Sequence, residues 1–303
     1  MLDELPLVIF TIAAQMSAGS FIVLGLIHLL GRKVPQETMD KVTDPALFAI
    51  GPLLLLGLAA STFHLGSPLR ALNSVLHLGG SWLSAEIVTG SAFLVLGAAF
   101  AFVQWRKLFS HGFRQLLAGV TALVGAFLVF AISQVYSLRT VPAWATFHTP
   151  VRFFITALLL GGVAVGAALV IAARRAEKDA PDPAASRLLT NCVRGIALGA
   201  IVALGLKFVA QPAYLAYLGT SPERAARESL DLLTNTYGVF SASQNILIFA
   251  GIAALGFLLY RMAGGTAGRR LLPTIAVISF VLVLAGEIVG RMLFYASMVR
   301  IGV

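Results

Sequence analysis

The side chains with the clearest chemical potential are His64, Arg70 and Glu86, which surround a short polar connection between two long apolar segments. Imidazole exchanges a proton near neutral pH, and a partly buried carboxyl group can be brought into the same range by desolvation. A guanidinium can hold a carboxylate or a quinone oxygen in place. Residues 64–71, His-Leu-Gly-Ser-Pro-Leu-Arg-Ala, are therefore expected to form the lip of a small-molecule site at a membrane surface.

The composition predicts an integral membrane protein. Hydrophobic residues make up 58% of the 303 residues and only 12% are charged, whereas a soluble domain averages about 25% charged residues. The formal net charge of +9 would suit nucleic-acid binding in a soluble protein. Here the Lys and Arg residues form short clusters between apolar runs, which is the pattern of topology determinants in membrane proteins.

Eight apolar segments are long enough to cross the ~30 Å core of a bilayer, which needs about 20 helical residues. They lack the alternation of barrel strands and exceed the ~10 residues of such a strand. The predicted fold is an all-α integral membrane protein with a single domain over residues 1–303. The predicted helices cover roughly residues 6–30, 45–64, 82–105, 115–136, 151–173, 191–212, 241–260 and 272–296. Acidic Asp3 and Glu4 precede the first segment, which indicates a retained helix rather than a cleaved signal peptide.

The distribution of basic residues predicts the orientation. Lys and Arg are concentrated in the first, third, fifth and seventh connections, which the positive-inside rule places in the cytoplasm. Both termini and the connection that carries His64 are then on the outer, periplasmic side. In the sixth connection, Thr220-Ser221-Pro222-Glu223 resembles a capping box with an early proline, so a short surface helix is expected on the outer face.

Ionisable groups inside the membrane usually have a function, and here they fall in the outer half. Lys207, Glu287 and Arg291 join Glu86 there. Glu287 and Arg291 are four residues apart on one helix and can contact each other, so we interpret them as a structural pair. Lys207 is interpreted as extending its ammonium group to the surface. The inner half holds little besides His28, which favours a site reached from the outer face over a channel.

The chemistry of quinol oxidation fits this arrangement, because it releases two electrons and two protons. His64 and Glu86 are the predicted proton acceptors, and Ser67 and Arg70 complete the predicted quinol-binding set. The aliphatic helix surfaces provide a wall for an apolar ring and tail. Cys192 is the single cysteine of the sequence, so an iron–sulfur cluster or a thiolate zinc site must belong to a partner. No convincing histidine pair for haem is found, and no metal site is predicted.

Four motifs give the sequence a resemblance to a known family. They are residues 4–11 (Glu-Leu-Pro-Leu-Val-Ile-Phe-Thr), residues 64–71, residues 141–144 (Val-Pro-Ala-Trp) and residues 286–295 (Gly-Glu-Ile-Val-Gly-Arg-Met-Leu-Phe-Tyr). In this order and spacing, the sequence resembles the membrane anchor subunits of dimethyl sulfoxide reductase, the DmsC family. The likeness covers essentially the whole chain.

The resemblance implies a haem-free anchor in the bacterial cytoplasmic membrane that oxidises menaquinol in anaerobic respiration. Its electrons would pass to an iron–sulfur subunit with four [4Fe–4S] clusters, and then to a molybdopterin catalytic subunit docked on the outer face. His64 and Glu86 match the family's quinol-binding positions, and Arg70, Glu287 and Arg291 would have supporting roles. The terminal acceptor is bound by another subunit, so sulfoxide and N-oxide reductases are both compatible with this anchor.

Two other hypotheses compete with quinol oxidation. A secondary transporter would need a midplane site and polar groups in the cytoplasmic half, against which the apolar inner half argues. A purely structural anchor would dock the soluble subunits without binding quinol. Substitution of His64 and Glu86 separates this last hypothesis from a quinol-oxidising subunit.

Overall fold

The computed structural model describes residues 4–31, 33–47, 80–176, 183–263 and 271–302, and within these ranges the regular structure is entirely helical. A π-helix precedes the eighth α-helix. The elements in chain order are α1 (Leu5–Leu30), α2 (36–47), α3 (Trp82–Trp105), α4 (His111–Val135), α5 (His148–Ala176), α6 (Pro183–Thr220), α7 (Arg224–Asp231), the π-helix (Leu232–Thr236), α8 (Gly238–Ala263) and α9 (Leu272–Ala296).

Seven of these helices, α1, α3 to α6, α8 and α9, are long and apolar enough to cross a membrane. The all-helical membrane fold is therefore confirmed. The second predicted segment, roughly 45–64, lies mostly outside the described residues, so the count of eight remains a prediction. The bounds predicted for α3 agree with the structure at both ends.

Helix α6 is much longer than predicted. It has 38 residues and continues through Pro212, where the sequence pattern predicted its end. At 1.5 Å per residue it is about 57 Å long, so it extends well beyond a bilayer core of ~30 Å. Proline is tolerated inside helices of membrane proteins because neighbouring groups take up the freed backbone carbonyl. Helix α4 also begins four residues early, where the side chain of Ser110 caps the amide of Phe113.

The short helix expected after α6 is present as α7, but the predicted capping box is wrong. Thr220 is the last residue of α6, and its hydroxyl donates to the carbonyl of Ala216. The hydroxyl of Ser221 accepts a hydrogen bond from the amide of Glu223. The four residues thus make a turn between two helices, and α7 begins afterwards at Arg224.

Helices α1 and α5 form the centre of the bundle. Within their most apolar stretches, 72% of α1 and 78% of α5 are buried, against 28–44% in the other spanning helices. The two helices cross in backbone contact, because a Cβ atom added at Gly19 would overlap the carbonyl of Ala157. One at Gly161 would overlap the backbone of α1. Small residues permit such close approach in membrane helices.

The spanning helices run in alternating directions, so the bundle has two ends. At one end the indole Nε1 of Trp144 donates to the carbonyl oxygen of Phe294 over 2.9 Å. At the other, His28 Nε2 lies 3.2 Å from the hydroxyl of Thr43 in α2. We call these the Trp144 end and the His28 end. Helices α1, α3, α5 and α8 begin at the Trp144 end, and α4, α6 and α9 finish there.

Candidate functional site

A buried ion pair joins α6 to α9 in the Trp144 half of the bundle. Lys207 Nζ lies 2.6 Å from Glu287 Oε1, and Thr156 Oγ1 donates to Glu287 Oε2 over 2.7 Å. Lys207 is 8% exposed and Glu287 is 2% exposed. The prediction that Lys207 reaches the surface is therefore wrong, because its ammonium group supplies the counter-charge that a carboxylate in an apolar interior requires.

Arg291 does not pair with Glu287, as the four-residue spacing had suggested. Its Nη2 donates to Gln15 Oε1 over 2.7 Å, and its guanidinium carbon lies 3.8 Å from the ring centre of Phe153. The planar cation thus stacks on an aromatic face of α5 while it binds α1. Arg291 Nε and Nη1 and Gln15 Nε2 are buried without a hydrogen-bond partner among the described residues. These donors remain free for another group.

A tyrosine pair lies beside Arg291 at the Trp144 end. The hydroxyl of Tyr295 donates to that of Tyr136 over 2.8 Å. Both tyrosines interact electrostatically with Arg291 and with Glu86 of α3. Glu86 is half-buried, and its carboxylate makes no hydrogen bond to another described residue. The pair therefore lies between a carboxylate that is free to accept a hydrogen bond and a buried cation.

The structure brings together some of the predicted site residues. Glu86 and Arg291 approach the same tyrosine pair, whereas Glu287 turns toward α6. His64, Ser67 and Arg70 lie outside the described residues, so the predicted lip is not placed relative to Glu86.

A cavity of about 260 Å³ lies at the Trp144 end between α5, α6, the π-helix, α8 and α9. Its polar lining includes Arg152, Lys207 and Gln244, of which Lys207 and Gln244 are buried. His148 and Tyr214 stand nearer its rim, with ring centroids 5.3 Å apart. We call this space the Arg152 cavity. It is separate from Glu86, which does not line it.

Arg152 is the functional candidate that the sequence pattern missed. At the start of a spanning segment it was counted as a charge of the outer connection. In the structure its Nη2 donates to the carbonyl of Gly290 in α9. The signal that could have found it is helical spacing, since His148, Arg152 and Thr156 follow one another at intervals of four on one face of α5.

The His28 end holds a second polar cluster, which corrects the expectation that little besides His28 is polar there. Lys107 Nζ lies 2.8 Å from Asp40 and 2.6 Å from Asp44. The amide of Gln104 donates to both carboxylates, and Arg114 Nη1 donates to Gln104 Oε1. Gln104 and Arg114 belong to spanning helices but are buried by one another and by α2, so their polarity is hidden in the sequence.

Burial raises the pKa of the Asp40 carboxyl group, but hydrogen bonds from Lys107 and Gln104 and the positive charges of Lys107 and Arg114 lower it more strongly. The net pKa lies below the ordinary value of 3.8. The cluster therefore holds an ionised carboxylate that fastens α2 to α3 and α4.

An all-helical bundle with apolar spanning helices and interior charges in one half defines a multi-pass membrane subunit. The DMSO reductase anchor subunit family, DmsC, matches residues 1–297. The sequence is 35% identical over 300 residues to a chain of the anaerobic dimethyl sulfoxide reductase of Escherichia coli K12, covering 99% of this protein and 96% of that one. Its identity to the chain of the same name in Haemophilus influenzae is 30% over 296 residues, covering 97% and 94%.

A more distant likeness reaches another enzyme system. The sequence is 29% identical over 161 residues to a subunit of the sulfite dehydrogenase of Allochromatium vinosum, covering 50% of this protein and 48% of that one. The full-length matches show that the chain belongs to the DmsC family, as its motifs predicted. It is a membrane anchor of a DMSO reductase-like complex and a multi-pass protein of the bacterial inner membrane.

Proposed function

We propose that this anchor subunit oxidises a quinol, with Glu86 as one proton acceptor and His64 as the other. The observation that carries the proposal is the state of Glu86. It is a half-buried carboxylate in a spanning helix, it makes no hydrogen bond to another described residue, and it lies close to Tyr136 and Tyr295. Intramembrane carboxylates without a structural partner are costly and mark functional sites.

Quinol oxidation needs a group that takes the hydroxyl proton as the electrons leave. Because no described donor engages it, the Glu86 carboxylate can accept a hydrogen bond from a quinol hydroxyl at the 2.6–3.2 Å reach of general-base catalysis. In this proposal His64 takes the second proton, and Ser67 and Arg70 bind the quinol. The resemblance to the DmsC family favours menaquinol as the substrate.

The tyrosine pair and Arg291 have positioning roles in this proposal. The Tyr295–Tyr136 hydrogen bond fixes the wall beside Glu86. Arg291 and Gln15 present buried, unpartnered donors near that wall, so they can stabilise negative charge that develops as the quinol loses protons. Glu287 takes part only as the counter-charge of Lys207.

We further propose eight spans with both termini in the periplasm, which makes the Trp144 end the outer one. An iron–sulfur subunit with four [4Fe–4S] clusters would dock there, with a molybdopterin subunit beyond it. Electrons and protons then leave toward the same side, so oxidation by this chain moves no net charge across the membrane. Proteoliposomes that build up a membrane potential during quinol oxidation would refute this part.

The experiment compares Glu86→Gln with Glu223→Gln in the assembled complex. Glu223 is an exposed glutamate next to α7 and serves as the matched control. Quinol-driven reduction should fall ~10²–10⁴-fold in Glu86→Gln, the usual contribution of a general base. Reduction driven by a soluble donor that feeds the catalytic subunits directly should stay unchanged in both variants.

His64→Gln tests the second acceptor in the same way. If quinol-driven reduction survives both Glu86→Gln and His64→Gln in a fully assembled complex, the chain is a structural anchor and the proposal is wrong.

A further inference from the structure

The Arg152 cavity has no role in the proposed quinol chemistry, yet it is lined by charged groups. Arg152 and Lys207 both face it, and Gln244 contributes a buried amide. A polar pocket between membrane helices costs free energy unless its donors are satisfied. The composition of its lining therefore indicates which molecule would fill it.

Positive charge exceeds negative charge beside the cavity. Arg291 interacts electrostatically with both Arg152 and Lys207, and Glu287 is the carboxylate that interacts with all three cations. Among the described residues three cations thus share one carboxylate. An anionic group placed in the cavity would offset the repulsion between them, whereas a neutral ligand would leave it unchanged.

Donors are also available to such an anion. Lys207 has three N–H donors and uses one on Glu287, while Arg152 has five and its described hydrogen bond to Gly290 occupies one nitrogen. Phosphate oxygens are suitable acceptors for both side chains, because charge-assisted hydrogen bonds to Arg and Lys are short and strong.

The remainder of the lining is apolar, which indicates an amphiphile rather than a free anion. The apolar side chains that line the cavity are Val151, Ile155, Leu215, Leu233, Leu293 and Phe294. On α6, exposed Leu206 and Val209 flank Lys207 in sequence. An acyl chain could therefore run from the cavity along the apolar surface of α6.

We propose that the Arg152 cavity binds an anionic phospholipid, with its phosphodiester against Arg152 and Lys207 and an acyl chain along the apolar lining. Basic pockets between transmembrane helices recognise lipid headgroups by this chemistry. The site uses other residues than the quinol site and goes beyond the proposed function.

The test measures retention of phosphatidylglycerol by the full chain with its accompanying subunits. The complex is reconstituted in nanodiscs of phosphatidylglycerol and phosphatidylcholine, washed with detergent and weighed by native mass spectrometry. Arg152→Gln should retain roughly tenfold less phosphatidylglycerol, the scale of one lost charge-assisted hydrogen bond. Arg194→Gln, an exposed arginine of α6 that does not line the cavity, should retain as much as the wild type.

A second variant tests the site without changing its charge. Gln211 lines the cavity and is half-buried, so Gln211→Phe should fill the space and displace the lipid. Equal retention in wild type, Arg152→Gln and Gln211→Phe would overturn the proposal. So would a bound quinone in place of the phospholipid, or inorganic phosphate that binds as tightly as phosphatidylglycerol.

The same complex separates this proposal from quinol oxidation. Glu86→Gln should lose quinol-driven reduction but keep the phospholipid, because Glu86 does not line the cavity. Lipid loss in Glu86→Gln equal to that in Arg152→Gln would overturn the assignment of the lipid to this cavity.

Discussion

Lys207 of α6 and Glu287 of α9 meet at 2.6 Å in the interior of the bundle, 80 residues apart in the chain. Thr156 completes the coordination of the carboxylate from α5. Three helices are therefore joined at a single carboxylate, which makes their relative register sensitive to the loss of any one partner.

Lys207→Met should lower the free energy of unfolding by ~3–5 kcal/mol, because it leaves a buried carboxylate without its counter-charge. The double variant Lys207→Met/Glu287→Gln should recover much of that loss, since no isolated charge remains. Thermal unfolding of the purified chain in detergent measures both. Arg194→Met, on the exposed side of the same helix, controls for loss of a cation. A double variant no more stable than Lys207→Met would contradict the buried pair.

Gly19→Ala should destabilise the crossing of α1 and α5 by ~1–3 kcal/mol, the usual cost of overpacking. A Cβ atom there would overlap the backbone carbonyl of Ala157, which cannot move without shifting α5. Gly199 of α6 has open space around its Cα. Gly199→Ala should therefore be neutral or stabilising by up to ~1 kcal/mol. The midpoint of thermal unfolding distinguishes the two, and equal effects would refute the close crossing.

Tyr295→Phe should slow quinol-driven reduction by roughly tenfold, while the lost hydrogen bond to Tyr136 costs only ~0.5–1.5 kcal/mol of stability. If the hydroxyl acts by positioning Glu86, Tyr295→Phe should add nothing to the defect of Glu86→Gln. A double-mutant cycle on quinol-driven rates tests this. Tyr260→Phe, an exposed tyrosine of α8, is the control. Fully additive defects would show that Tyr295 does not work through Glu86.

The Asp40 cluster predicts a loss of stability in acid. The folded pKa of Asp40 is below its ordinary value of 3.8, so the ionised group contributes stability that is complete above about pH 4 and is lost as pH falls through the folded pKa. The difference in melting temperature between wild type and Asp40→Asn should therefore shrink as pH is lowered from 7 to 3. Glu37→Gln, on an exposed position of α2, should show no such change. A difference that is constant with pH would contradict the lowered pKa.

Local patterns in the sequence predicted the elements, and the pairings between elements escaped them. The bounds of α3 were predicted at both ends because polar residues follow a continuous apolar run. The end of α6 was misplaced because Pro212 is a local stop signal that tertiary contacts override. The pairing of Glu287 with Lys207 depends on which face of α9 meets α6, and the four-residue spacing to Arg291 carries no information on that.

The central position of α1 has a consequence for biogenesis. Its polar side chains Thr11, Gln15, Ser17 and Ser20 are fully buried, much of this by α5. At ~5–20 residues per second, the ribosome reaches Ala157 roughly seven to thirty seconds after Gly19. During that interval α1 is already in the membrane without its neighbour, and its polar face needs shelter from lipid. A chain that terminates after α4 would therefore expose this face permanently, which makes it a natural substrate for membrane quality control.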